Sequence, residues 1–195
     1  MIGVNIVAML RFYLAGPEVF LPNARALGEA KRALCADLGL SGVFPLDAAL
    51  DLGGLGPREQ GRTIYRADVS LMRRCDVIIA NLTPFRGPSA DVGTAFELGF
   101  MTALGKPAFA YSNCAESFIA RLARFSPSGL HRRTDGQWAD QNDLAVEDFD
   151  MLDNLMLHGA LAEGDLFLHQ APAGRELTDL TAFEACVKAA RRLIA

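Results

Sequence analysis

The chain has 195 residues, 51% of them hydrophobic, and a formal net charge of −4. That length suits one domain with a full core, and the apolar excess favours a largely buried sheet and a subunit interface. With no long basic run, nucleic acid and anionic membrane are not expected partners. No uninterrupted apolar stretch reaches the roughly 18–20 residues that span a bilayer. Cys35, Cys75, Cys114 and Cys186 form no C-x-x-C pair, and His131, His158 and His169 lack metal-ligand spacing. A reduced, cytoplasmic chain without structural metal is therefore expected.

The N-terminal MIGVNIVAML lacks a basic region and a cleavage site, so it is not read as a signal peptide, and Met9 is an alternative start to Met1. Arg11–Ala15 then reads as a first strand ending in Gly16-Pro17. Residues Asn23–Asp37 carry apolar side chains at helical spacing and stop at Gly39. Gly42–Leu46 is a short second strand, followed by a glycine-rich loop and a helix over Arg58–Cys75. Asp76–Leu82 is the clearest strand, a β-branched run bounded by turn residues.

A helix over Val92–Leu104, a strand over Pro107–Ser112 and a helix over Ser117–Arg124 follow. Residues 126–143 are polar and turn-rich, which predicts a surface excursion or lid. Helices over Glu147–Leu161 and Glu176–Ile194 and a strand over Leu166–His169 complete the chain. Strands alternating with helices imply an α/β fold with a doubly wound parallel sheet in a single domain spanning 1–195. Ligands of such folds bind beyond the carboxyl ends of the strands. The turns after the first three strands should therefore meet in one crevice.

Within that crevice Glu97 is the notable residue. It stands in AFELGFM, flanked by Phe96, Leu98, Phe100 and Met101, in surroundings that make an unpaired carboxylate costly. It is either a structural carboxylate with a paired cation or backbone caps, or a desolvated nucleophile for a sugar carbon. Gly93, one helical turn earlier, leaves that face uncovered. Asp91 suits an N-cap or the mouth of a site, and Arg86 an acidic ligand or a pairing with Asp91. Asp68 has Leu71 and Met72 where a helical cation partner would stand, which weakens the reading as a solvated, paired side chain. Gly53–Gly56 offers a phosphate cradle or a plain loop; no G-x-G-x-x-G or Walker A motif is present.

YLAGPEVF (Tyr13–Phe20), the block from Cys75 to Phe100, ALGKP (Ala103–Pro107) and DNLML (Asp153–Leu157) together resemble the nucleoside 2-deoxyribosyltransferases. The resemblance implies a flavodoxin-like fold, a homo-oligomer, no cofactor, and base exchange on deoxyribonucleosides through a covalent deoxyribosyl-enzyme intermediate. It assigns Glu97 as nucleophile, Tyr13 as the residue that orients it, and Asp68 as proton donor to the departing base. It places Asp91, with Gly16 and Phe20 of the first turn, around the substrate. Asn154 would reach a neighbouring subunit's site and contact the sugar 5′-hydroxyl, with Met156 beside it. Some relatives hydrolyse deoxynucleoside monophosphates; here Glu18 is expected to occupy the phosphate position and disfavour that substrate. The alternatives are nucleoside hydrolysis and a non-catalytic nucleoside-binding module.

Overall fold

A computed structural model describes residues 9–162 and 164–194. The reading of the first eight residues, and with it the choice of start at Met1, lies outside the described residues. Five parallel strands form the central sheet: β1 (Arg11–Ala15), β2 (Ser41–Val43), β3 (Val77–Asn81), β4 (Ala108–Ser112) and β8 (Leu166–Leu168). Their spatial order is β2-β1-β3-β4-β8, the flavodoxin-like arrangement, with the order reversing between β1 and β3. Helices cover both faces.

Strand alternation sorts the side chains. Tyr13, Ala15, Ile78 and Ala80 face a core that includes Leu71 and Met72 of α2 (Pro57–Arg74) and Leu98 and Met101 of α3 (Val92–Ala103). Phe12, Leu14, Val77 and Ile79 face the opposite core, with Cys35 of α1 (Ala24–Asp37) and Phe183, Cys186 and Val187 of α6 (Thr181–Ile194). This parity sends Tyr13 towards α3. Lys106 donates to the carbonyls of Met72, Arg73 and Cys75 and so closes the C-terminus of α2.

The second strand is shorter than its apolar run. It stops at Val43, and Pro45, which has no N–H for the ladder, opens a 3-10 turn over Pro45–Asp47. The 126–143 excursion is not structureless. Its two-residue strand β6 (Trp138–Ala139) pairs with β5 (His131–Arg132) on one side and β7 (Ala145–Val146) on the other in a small antiparallel sheet, beyond α4 (Phe118–Phe125).

The long helix expected over Glu147–Leu161 is reduced to α5 (Leu155–His158). Acidic side chains take up the amides at its start instead. Glu147 accepts from the Leu155 amide at 3.0 Å, Asp153 accepts from the Asn154 amide at 2.7 Å, and Asp150 has a positive φ of 56°. The last helix begins at Thr181 rather than Glu176, where Asp179 accepts the Thr181 amide at 2.8 Å. Among the described residues no helix is long and apolar enough to cross a membrane.

Candidate active site

At the switch between β1 and β3 lies a cavity of about 1060 Å³. Its wall is built from the turn after β1, the residues after β2, α2, and the first turns of α3. Gly16, Phe20, Asp68, Asp91 and Glu97 all line it. Tyr13 reaches the same point from within the core, where its hydroxyl donates to Glu97 Oε1 at 2.5 Å. The structure thus unites most of the residues that the sequence singled out. Asn154 and Met156 are not among the cavity's residues. Asn154 caps α5 through the Met156 amide at 3.0 Å and donates to Glu147 at 2.8 Å, while Met156 is 72% exposed.

Asp91 is both an N-cap and a wall residue. Its Oδ2 accepts the Thr94 amide at 3.0 Å, which opens α3 and fixes the rotation that turns Glu97 to the cavity. Gly93 lies between them on that wall, and a Cβ there would meet Asp91 Oδ2 at 2.9 Å. Arg86 forms no ion pair with Asp91 among the described residues. Held at φ 55°, its guanidinium lies over the rings of Phe20 and Phe85, which stack at 5.4 Å. The Gly53–Gly56 stretch is a plain turn before α2, with the Gly53 amide bound to Asp51 and the Leu55 amide to Leu52.

Burial sets the electrostatics. Desolvation pushes the Glu97 carboxyl from 4.5 up to about 8; the Tyr13 hydrogen bond opposes this, and the neighbouring carboxylates Asp68, Asp91 and Glu18 add to it. Asp68, which has no ion pair among the described residues, is pushed from 3.8 up to about 6 by burial. The Tyr13 hydroxyl is raised by burial and then by Glu97, so it remains a donor. Burial thus raises two neighbouring acids beside one fixed donor.

This predicts a pH-dependent cost to the fold. The folded-state value of Glu97 lies above its ordinary value, so its protonated form favours folding and stability falls as pH rises from 4.5 to about 8. Glu97→Gln should melt with wild type near about pH 4 and several degrees above it near about pH 9. Thermal denaturation across that range checks this; a pH-independent difference would contradict it.

The acid of the Gly16-Pro17-Glu18 turn does not project into a phosphate position. Glu18 is buried and pairs with buried Lys31, while its Oε1 also accepts from Tyr111 at 2.7 Å and Asn81 at 2.9 Å. Gly16 permits this fold-back: a Cβ there would lie 1.9 Å from Glu18 Oε2. Lys31 lies eight residues into α1 and thirteen beyond Glu18 in sequence, so no local pattern signalled the pairing. The expectation that Glu18 disfavours a phosphate is therefore withdrawn.

Sequence reading also missed Arg25, Glu29 and Arg32, which share one face of α1 and line the far end of the cavity. Their helical spacing was visible, but not the return of the loop after β2, where Asp47 pairs with Arg32. All four cysteines are free, and among the described residues no group of acids, cysteines and histidines is arranged to hold a metal.

Fold and cavity together define a flavodoxin-like protein with a tyrosine-bound carboxylate at its switch point, flanked by two further acids. Comparison with known proteins gives the family. The nucleoside 2-deoxyribosyltransferase family profile matches residues 12–156, and the chain belongs to that family. An uncharacterized protein of Schizosaccharomyces pombe, C191.05c, is 34% identical over 157 residues, covering 75% of this chain and 74% of that protein. The structure is also similar to a solved 2-desoxiribosyltransferase from Leishmania mexicana, with a TM-score of 0.62 and 30% identity over 92% of this chain and 97% of that one.

Proposed function

We propose that the protein is an enzyme that exchanges the base of 2′-deoxyribonucleosides through a covalent deoxyribosyl–Glu97 intermediate. The observation that carries this reading is the Tyr13–Glu97 hydrogen bond at the wall shared with Asp68 and Asp91. In the first half-reaction the ionised form of Glu97 attacks C1′ through the oxygen that Tyr13 leaves free, as the C1′–N bond breaks. The bond electrons leave with the base, which takes a proton from Asp68. In the second, a nitrogen of the incoming base attacks C1′, Glu97 departs as carboxylate, and the incoming base returns a proton to Asp68.

The geometry favours this chemistry over simple burial. Tyr13 holds one Glu97 oxygen and leaves the other for attack, and its hydrogen bond stabilises the anion as it is regenerated. Asp68, raised to about 6, retains a proton more readily than an ordinary aspartate. Asn154 and Met156 stand outside their own chain's cavity, which fits their contribution to a neighbouring subunit in a homo-oligomer. Exposed Tyr65, Phe96 and Val92, on α2 and α3 beside the cavity, provide an apolar face suited to such contact. A deoxyribonucleoside and a free base are the substrates, with nucleoside salvage in the cytoplasm as the setting.

Incubation with deoxyadenosine and cytosine tests the proposal. Deoxycytidine and adenine are the expected products. Free deoxyribose formed faster than deoxycytidine would make hydrolysis the main activity, and binding without either product would leave a nucleoside-binding module.

A further inference from the structure

The loop that carries Asp91 and the turn that carries Asn154 are bolted to the same buried ion pair. Arg121, on α4, and Asp153 are 1% and 0% exposed at their side chains, with Arg121 Nη2 3.3 Å from Asp153 Oδ2. Arg121 directs its remaining donors at main-chain oxygens: Pro88 at 2.6 Å, Glu116 at 2.5 Å, and Leu152. Asp153 accepts the Ser89 hydroxyl, the Ala90 amide at 3.0 Å and the Asn154 amide at 2.7 Å. Pro88, Ser89 and Ala90 are the three residues before Asp91, and each is held by one member of the pair.

A buried ion pair is a poor device for stability alone, since well-packed apolar side chains often replace one without loss. Its distinguishing property is direction. Each nitrogen of this fork and each oxygen of this carboxylate meets a particular backbone group, which sets the register of two segments 63 positions apart in sequence. Resting on the function proposed above, we propose that Arg121 and Asp153 are positioning residues that hold the Asp91 loop and the Asn154 turn in one fixed arrangement for substrate binding. Neither touches the substrate. With Asn154 serving a neighbouring site, the pair also ties the wall of one site to the contact offered to the next.

Ser89→Ala removes one hydrogen bond of this hub, while Arg121→Met combined with Asp153→Leu replaces the ion pair with apolar volume. A merely structural hub would lower the folded fraction, and so kcat, without moving KM. The positioning role predicts that KM for deoxyadenosine rises about tenfold in Ser89→Ala, with the melting temperature within a few degrees of wild type. The double variant, where it folds, should show a larger rise despite restored stability. A raised KM in any folded variant supports the proposal; wild-type KM in every folded variant overturns it. Wild-type exchange is measured first. If wild type proves inactive, the exchange reading fails separately, and deoxyadenosine Kd by calorimetry on the same variants replaces KM with the same two outcomes.

Discussion

Glu97→Ala is expected to lower kcat for base exchange by about four orders of magnitude, because Glu97 is the cavity carboxylate that the buried Tyr13 hydroxyl holds with a second oxygen free for attack on C1′. The substitution also strips the buried Tyr13 hydroxyl of its acceptor, at a stability cost of about 1–3 kcal/mol. Glu97→Gln separates the two effects. Its amide oxygen still accepts from Tyr13, yet it offers no anion to the sugar. Both variants should therefore be equally inactive while differing in melting temperature, as steady-state kinetics and thermal denaturation would show. Substantial exchange by Glu97→Gln would place the nucleophile elsewhere.

The second large effect concerns the proton. Asp68→Asn should reduce kcat by about 10²–10⁴-fold for deoxyadenosine, the range associated with a lost general acid. The same variant should lose little with 2′-deoxy-7-methylguanosine, whose base already carries a positive charge and departs neutral. That contrast is specific to proton donation, since a misfolded or misaligned site would lose both substrates alike. Comparable losses on the two substrates would remove Asp68 from the role and leave it as a buried wall residue.

Between residues 9 and 112 most elements were legible, because local pattern and tertiary environment agree there. β1 is an apolar run with turn residues behind it, β3 is a β-branched run between charged and turn residues, and the helices between them have one apolar stripe facing the sheet. The acid site was legible for a related reason. Glu97 stands among apolar residues in the helix that Asp91 caps, whereas Tyr13 was joined to it by the family resemblance, and strand parity explains that meeting only once the sheet is seen.

What escaped the sequence depends on partners far apart in the chain. Glu18 belongs to an interior network only because Lys31, Asn81 and Tyr111 converge on it from three elements. Asp153 opens the DNLML motif and fell within the helix expected over Glu147–Leu161, but its oxygens are engaged by Ser89, Ala90 and Arg121, which removes it from any helix face. The hairpin strands of the 126–150 region are two residues each, too short for a period-2 signal to emerge.

The central claim is a covalent bond between Glu97 and the deoxyribosyl group. Intact-mass spectrometry of protein quenched during turnover of deoxyadenosine without an acceptor base, followed by peptide mapping, tests it most directly. The account predicts a mass increase of one deoxyribosyl group that maps to Glu97, disappears on addition of cytosine, and is absent from Glu97→Gln. Steady exchange with no adduct at any quench time, or an adduct on another residue, would contradict it.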